Sequence, residues 1–214
     1  DFLDGGTGTN RIDGGTGINR CLATAADTLA GTCDNSPPVI SDVVVSPESI
    51  DTWEAARNVT VTWRATDDRT GLDLNAQILM AHHEASDQFN YNGAWAIALP
   101  QMTSGDEHDA TFEATLTVPR FSPKGRWSLD FQSHDHAGNY LRLEKPELLA
   151  LGLPTGFNQT GAGDDTAPVI SDFTIDRTTV DTSGSEQVIN ASVRVTDTIS
   201  GVNIENTNGA SFSA

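Results

Sequence analysis

The stretch Pro38-Val39-Ile40-Ser41-Asp42 returns 130 residues later, where Pro168 to Asp172 repeat it residue for residue. The same offset relates Asp51-Thr52 to Asp181-Thr182, Thr66-Asp67 to Thr196-Asp197, and Gly71-Leu72 to Gly201-Val202. A fixed period of this length is typical of an array of whole domains and is too long for a small solenoid repeat. We therefore expect residues 37–163 to form one domain and residues 164–214 to form the first half of a second.

Within the first copy, apolar and polar residues alternate in several short runs. Val59, Val61 and Trp63 alternate with threonine and arginine, and the turn Asp67–Gly71 separates this run from another that begins at Leu72. Alternation with a period of two predicts half-buried strands. Roughly seven such runs, joined by turns and without a long amphipathic helix, predict an all-β fold: an antiparallel β-sandwich of immunoglobulin-like type.

Three segments outside these runs carry local signals of their own. Residues 23–31, rich in Ala, Leu and Thr, are expected to form a short helix that ends at Gly31. Residues 146–151 are expected to form one helical turn, and residues 156–165 a glycine-rich linker to the second copy.

The chain is strongly acidic, with 30 acidic and 12 basic side chains and a formal net charge of −18. Such a charge repels phosphate backbones and anionic membranes, so nucleic acid is not an expected partner. Membrane insertion is not expected either, because no apolar run approaches the ~20 residues of a membrane helix. The surplus carboxylates are typical either of a soluble surface or of a series of cation sites.

Residues 1–36 carry a nine-residue period. Gly-Gly-Thr-Gly-Thr-Asn-Arg-Ile-Asp at residues 5–13 is followed in register by Gly-Gly-Thr-Gly-Ile-Asn-Arg-Cys-Leu at residues 14–22. This segment resembles the RTX nonapeptide repeat, which winds as a calcium-loaded parallel β-roll in bacterial secreted toxins, proteases and adhesins. The resemblance implies calcium ligands at Asp1, Asn10 and Asn19, although the family has aspartate where this chain has the two asparagines. It also implies a single apolar ladder of Leu3, Ile12 and Cys21.

The chain has two cysteines, Cys21 and Cys33, which enclose a short loop. In an extracellular chain they are expected to form a disulfide, which stabilises by about 3 kcal/mol in the loop-entropy model. The alternative is a pair of reduced, buried thiols. Their spacing does not indicate zinc, because no Cys-x-x-Cys pair is present.

The first copy contains three further motifs: Asp67-Asp68-x-x-Gly71, Phe121-Ser-Pro-Lys-Gly125-x-Trp127 and Asp135-x-Ala137-Gly138-Asn139. They resemble motifs of the bacterial immunoglobulin-like repeats that occur in tandem in large secreted and surface proteins. The resemblance implies a stalk, spacer or adhesion array that is frequently rigidified by calcium at its domain junctions.

Oxygen ligands for such a junction calcium ion are expected at the ends of the sandwich, where a hard cation can collect them from two domains. The candidate side chains lie in turns and linkers and are Asp67, Asp68, Asp135, Asn139, Asp34, Asp164 and Asp165. The alternative is that Asp68 and Asp135 accept hydrogen bonds only from the amides of their own turns.

No nucleophile elbow, phosphate loop or zinc-protease helix is present, so catalytic activity is not expected. His134 and His136 could share one face of a strand, but surface positions remain the default for the five histidines. Aromatic residues between Phe89 and Trp95 form either a sugar-stacking face or part of the sandwich wall.

The combined features predict a non-enzymatic, extracellular or cell-surface protein that forms part of a stalk or fibre. Its expected partners are neighbouring copies or further domains of the same protein. The alternatives are the accessory region of a secreted hydrolase and a carbohydrate-binding module for surface glycans. Half a sandwich would expose Val169, Ile170 and Phe173, so either a longer chain or strands from another subunit are expected to cover them.

Overall fold

The structure, a computed structural model, describes residues 1–85 and 94–202. Residues 1–163 form one compact unit, and a second unit begins at Asp164. The expected aromatic positions Phe89 and Tyr91, and the chain beyond Val202, lie outside the described residues. Among the described residues, no helix has the length and apolar character needed to cross a membrane.

The N-terminal segment consists of short strands that alternate between two parallel sheets. The strands are β1 (Phe2–Asp4), β2 (Arg11–Asp13), β3 (Asn19–Leu22), β4 (Thr28–Ala30) and β5 (Cys33–Asp34). One sheet has the order β1-β3-β5 and the other pairs β2 with β4. This is the β-roll-like arrangement expected for the segment.

Two local expectations for this segment are wrong. Leu3 and Cys21 are neighbours in one sheet, but Ile12 lies in the other sheet beside Leu29, because each repeat carries the chain across to the opposite sheet. Residues 23–31 are not helical, since Thr28–Ala30 instead pairs in parallel with β2. Ile12, Cys21 and Cys33 nevertheless share one small buried core.

The predicted disulfide between Cys21 and Cys33 is confirmed, and the two Cα atoms are 5.3 Å apart. Both cysteines are fully buried between the two small sheets. The disulfide therefore fixes the end of the N-terminal segment, because Cys33 directly precedes Asp34, the last residue of β5.

The rest of the first unit is a β-sandwich with one short helix, antiparallel except for one parallel strand pair at the edge of a sheet. Its elements are β6 (Val39–Ser46), β7 (Ser49–Ile50), β8 (Arg57–Thr66), β9 (Leu72–His83), β10 (Trp95–Ala98), β11 (Gln101–Gly105), β12 (Asp109–Val118), β13 (Gly125–Asp135), β14 (Tyr140–Leu143), α1 (Lys145–Ala150) and β15 (Gly156–Gln159). One sheet has the order β11-β12-β8-β6. The other has the order β10-β9-β13-β15-β7, and β14 also pairs with β13. The predicted all-β sandwich is confirmed.

The core of the sandwich lies where the alternating residues of the two sheets meet. Trp63 of β8 packs against Phe112 of β12 in its own sheet and against Phe131 of β13 in the other, with ring centroids 5.7 and 5.2 Å away. All three side chains are at most 2% exposed. Because alternate residues of a strand point to opposite faces, the run Val59, Val61, Trp63 and Ala65 supplies one continuous buried wall.

The expected linker at residues 156–165 begins instead with a buried strand. Phe157 of β15 stacks on Trp127 with ring centroids 5.9 Å apart, and Gln159 donates to the carbonyl of Ser122. A side chain at Gly156 would overlap the carbonyl of Trp127. Glycine is therefore needed here because β15 lies directly against β13, and not because the segment is loose.

The second unit contains an antiparallel pair of strands, β16 (Val169–Ile175) and β17 (Ala191–Thr196). Its large apolar side chains are exposed, including Val169 at 63%, Ile170 at 70% and Phe173 at 65%. Among the described residues, this pair has no facing sheet.

Candidate cation site

Three aspartates from distant parts of the sequence meet at one end of the sandwich. Asp34 ends β5, Asp67 follows β8, and Asp135 ends β13. One carboxylate oxygen from each lies within 4.8 Å of the other two. The three residues are 0%, 5% and 2% exposed, so this is a buried cluster of acidic groups.

The turn after β8 holds Asp67 in place. Its Oδ1 accepts hydrogen bonds from the backbone N–H of Gly71 at 2.7 Å and of Arg69 at 3.2 Å. Gly71 adopts φ +81°, a conformation that glycine reaches without steric cost. Among the described residues, Asp67 Oδ2 has no hydrogen-bond partner. A buried carboxylate oxygen in this state is costly, and a cation would relieve that cost.

The Asp-x-Ala-Gly-Asn motif holds Asp135. Its Oδ1 accepts from the backbone N–H of Asn139 and its Oδ2 from the Asn139 side chain, both at 2.7 Å. Asn139 therefore orients one acid of the cluster through its amide nitrogen. Gly138 adopts φ +82° and allows the tight turn between the two residues.

Asp34 connects the N-terminal segment to the sandwich. Its Oδ2 accepts from the backbone N–H and the hydroxyl of Thr70, at 3.1 and 2.7 Å, and its Oδ1 accepts from the Ser36 N–H at 3.0 Å. Next to it, the carbonyl of Cys33 accepts from Arg69 Nη1 at 3.1 Å. Residues on either side of the junction therefore share one hydrogen-bonded site that contains the cluster.

The charges of the cluster oppose one another. Burial raises the pKa of Asp67, and the nearby Asp34 and Asp68 raise it further, although the N–H groups of Gly71 and Arg69 act in the opposite direction. Burial also raises the pKa of Asp135, with added repulsion from Asp34 and Asp67. A bound divalent cation would remove this repulsion and the cost of burying the charges.

The donor atoms of this group are all carboxylate oxygens. Oxygen donors of this kind suit hard cations such as Ca²⁺ and Mg²⁺, whereas imidazole and thiolate suit zinc and copper. The nearest histidines have other contacts: His108 Nδ1 is 3.2 Å from the carbonyl of Asp67, and His136 Nε2 is 3.6 Å from Glu107. His134 packs against the ring of Tyr140 at 4.7 Å.

The remaining acids expected at the junction lie outside this group. Asp68 is exposed and its Oδ2 is 3.9 Å from Arg69 Nε. Asp164 and Asp165 belong to the second unit. Asp164 nevertheless repeats the contacts of Asp34, because its Oδ1 accepts from the N–H of Thr166 and its Oδ2 from the N–H of Ser200.

The expected ligands in the N-terminal segment are engaged by other protein groups. The Asn10 side chain donates to Asp27 Oδ1 at 3.0 Å. The buried Asn19 side chain donates to the carbonyl of Gly14 at 2.8 Å and to the hydroxyl of Thr32 at 2.7 Å. Asp1 is exposed and none of the three belongs to the acidic cluster.

Sequence reasoning did not single out Asp27, which organises this part of the segment. It accepts from the backbone N–H of Thr24 and of Asn10, both at 2.7 Å, and these bonds lower its pKa to about 2. The spacing Thr24-x-x-Asp27, with a hydroxyl and a carboxylate three residues apart, is a local turn signal that could have identified it.

Comparisons with known proteins give one structural similarity. No known family model matches the chain, and no curated protein matches it. A solved structure of the GspB Siglec domain is similar to it at a TM-score of 0.37 and 17% sequence identity. The alignment covers 61% of this chain and 60% of that structure, so this chain spans less than two thirds of it.

Proposed function

We propose that this chain is a non-enzymatic, extracellular structural or adhesive protein in which a calcium ion joins the N-terminal segment to an immunoglobulin-like sandwich. The buried group of Asp34, Asp67 and Asp135, with its unpartnered Asp67 oxygen, carries the proposal. In it, the ion takes one carboxylate from the N-terminal segment and two from the sandwich. The ion would therefore stiffen the junction as well as stabilise each part.

The stabilising effect follows from where the ligands lie in the sequence. The three aspartates come together only in the folded chain, so the unfolded chain binds the ion weakly. An ion bound only by the folded state adds RT ln(1 + [L]/Kd) to stability, about 2.7 kcal/mol at one hundred times Kd. Millimolar extracellular calcium is enough to load sites of modest affinity.

The buried disulfide supports the extracellular assignment, because disulfides persist in oxidising compartments. The partner assignment rests on the repeat. Asp164 and Asp197 reproduce the turn contacts of Asp34 and Asp67, which is what a second junction of the same kind requires. We therefore propose further domains or copies of the same protein as neighbours in a stalk or fibre.

The test is thermal unfolding of the 214-residue chain with a chelator, with calcium and with magnesium. We expect calcium to raise the midpoint of the wild type. The variant Asp67→Asn keeps a hydrogen-bond acceptor for the Gly71 amide but removes one charge, and it should lose the response to calcium. Asp68→Asn removes an exposed charge next to it and should keep the response. An equal midpoint with chelator and with calcium would contradict the proposal.

The structural role has a separate test. Sedimentation velocity at increasing protein concentration should show self-association that strengthens with calcium. A monomer at every concentration, with or without calcium, would count against the fibre assignment but not against the ion site.

A further inference from the structure

At the end of the sandwich opposite the acidic cluster, two loops bring aromatic and cationic side chains together. The ten residues of β8 separate the two ends by about 33 Å. The Arg120 guanidinium lies 4.2 Å from the ring centroid of Phe121. That ring meets the indole of Trp53 edge-to-face, with centroids 5.4 Å apart. We call Trp53, Phe121, Arg57 and Arg120 the distal platform.

Two guanidinium groups of the distal platform are held by backbone carbonyls. Arg57 Nε donates to the carbonyl of Asp51, and Arg120 Nε donates to the carbonyl of Trp53, both at 2.9 Å. These carbonyls belong to residues two apart in the sequence, so the two anchoring points lie within about 7 Å of each other. Neither arginine forms an ion pair with a described residue, which leaves the Nη groups available to an anion.

The distribution of unpaired cations supports a binding role for this end. The basic residues that form no ion pair with the described part of the chain are Arg20, Arg57, Arg120, Lys124 and Arg126. All of them except Arg20 lie at this end of the sandwich. Glu48, Asp51 and Glu54 lie in the loops at the same end, so the charge there is near balance, in contrast to the net charge of −18 for the whole chain.

The second copy shows that the turn itself does not need the indole. Trp53 donates its backbone N–H to Asp51 Oδ1 at 2.9 Å, and Ser183 makes the same bond to Asp181 at the corresponding place. Serine therefore supports the same turn. Trp53 is 39% exposed, so its side chain also contributes little to the core.

The backbone at Phe121 is also unusual for a residue with a side chain. Its φ is +63°, a left-handed conformation that costs about 1–2 kcal/mol outside glycine. Its N–H donates to the carbonyl of Thr52 at 3.0 Å, which brings the ring against Trp53. Strain of this kind often lies at functional sites.

We propose that the distal platform binds an acidic polysaccharide. A sugar ring would stack on the exposed indole, and its carboxylate or sulfate would accept hydrogen bonds from the Nη groups of Arg57 and Arg120. Guanidinium groups suit planar anions because they donate two parallel hydrogen bonds. The combination of an exposed aromatic face with two fixed cations favours an anionic sugar over an acidic peptide, which would need the cations but not the indole. This site is independent of the proposed calcium site at the other end.

The experiment measures binding of the full chain to immobilised alginate, chondroitin sulfate, neutral dextran and polyglutamate at about 0.15 M salt, where the Debye length of ≈ 8 Å screens the distant acidic surface. We expect binding to alginate or chondroitin sulfate and none to dextran. Alginate carries only carboxylates, whereas chondroitin sulfate also carries sulfates, so comparing the two shows which anionic group is recognised. Trp53→Ser, which introduces the residue found at position 183, should weaken binding by about tenfold or more, and so should Arg57→Gln combined with Arg120→Gln.

The matched control is Arg20→Gln, which removes an unpaired cation from the N-terminal segment and should leave binding unchanged. Each variant must have the same thermal unfolding midpoint as the wild type. If calcium raises the midpoint of the wild type, it must raise the midpoint of each variant equally. A binding defect is thereby distinguished from misfolding and from failure of the calcium proposal. Equal binding to dextran, no binding to any polysaccharide, or polyglutamate binding that Trp53→Ser leaves intact would each overturn the proposal.

Discussion

Strands β6 and β16 begin with the same four residues, Val-Ile-Ser-Asp, yet their surroundings differ completely. Both have a register shift against the neighbouring strand after the shared serine, and Asp42 and Asp172 both adopt φ +52°. Ile40, however, is 4% exposed while its counterpart Ile170 is 70% exposed. The comparison shows that short-range contacts determine the shape of the strand, whereas burial depends on partners elsewhere in the sequence.

The turns after β8 and β17 give the same result. Asp67 Oδ1 accepts from the Gly71 N–H at 2.7 Å, and Asp197 Oδ1 accepts from the Gly201 N–H at 2.8 Å. In the first unit this turn supplies one acid of a buried cluster, while Asp197 belongs to no such group among the described residues. The same turn geometry therefore lies in different surroundings in the two units, so equivalent substitutions should change stability by different amounts.

The largest expected effect concerns the core positions Trp63 and Val193, which occupy equivalent places in β8 and β17. Trp63→Ala should cost about 3–5 kcal/mol, because it leaves a cavity between Phe112 and Phe131. Val193 is 50% exposed, so Val193→Ala should change stability by no more than about 0.5 kcal/mol.

Urea unfolding measures the first of these effects through the fluorescence of the remaining tryptophans, all of which lie in the first unit. Amide exchange in β17 measures the second. Similar losses at both positions would show that β17 has a buried face under the conditions used.

The next effect concerns the disulfide, which has no counterpart in the second unit because that unit contains no cysteine. Replacing both cysteines with serine should destabilise the N-terminal segment by about 3 kcal/mol. In this variant we expect faster amide exchange in β1 to β5 and unchanged exchange in the core of the sandwich. The wild type should take up no alkylating reagent before reduction, and uptake at that stage would contradict the bond.

A smaller effect comes from replacing the glycines of the aspartate turns with alanine. It distinguishes backbone strain at positive φ from steric overlap of the added Cβ. Alanine at φ near +80° costs about 1–2 kcal/mol wherever it occurs. At Gly71 a Cβ would also lie 3.0 Å from Glu107 Cγ, whereas nothing lies within 4 Å of a Cβ at Gly138 or Gly201. Gly71→Ala should therefore lower the unfolding midpoint more than Gly138→Ala in the same unit. If their midpoints fall equally, Glu107 moves aside without cost.

The smallest effect is a difference in titration between Asp67 and Asp164. Burial raises the pKa of Asp67, whereas hydrogen bonds from Thr166 and Ser200 lower the pKa of the exposed Asp164. In calcium-free protein, the stabilising contribution of Asp164 should be present above pH 3.8 and should be lost as the pH falls below it. Asp67 acts in the opposite sense: its unfavourable contribution should appear as the pH rises above 3.8 and reach its full size above its raised pKa.

Carboxyl chemical shifts followed through a pH titration measure both groups directly. Asp67 should titrate above 3.8 and Asp164 below it. Calcium should bring the midpoint of Asp67 down, because the ion binds the deprotonated form. If the titration midpoint of Asp67 is the same with and without calcium, Asp67 is not a ligand of the proposed site.

The amino-acid sequence by itself determined the features that depend on neighbouring residues. Alternation predicted strands such as β8 and the strand that begins at Leu72, β9. The aspartate turns follow from a carboxylate and a glycine a few residues apart, and the disulfide from the only two thiols in the chain. Contacts of this range are formed wherever the local pattern occurs, which is why both copies share them.

Only the tertiary structure decided which of these local features act together. Asp34 joins Asp67 and Asp135 because β5, β8 and β13 end at the same place, while Asp68 points to solvent one residue away. Thr28–Ala30 is a strand because a parallel partner accepts it, and Gly156 belongs to a buried strand because β13 lies directly against it. Pairing and burial depend on residues far away in the sequence, so no local pattern contains them.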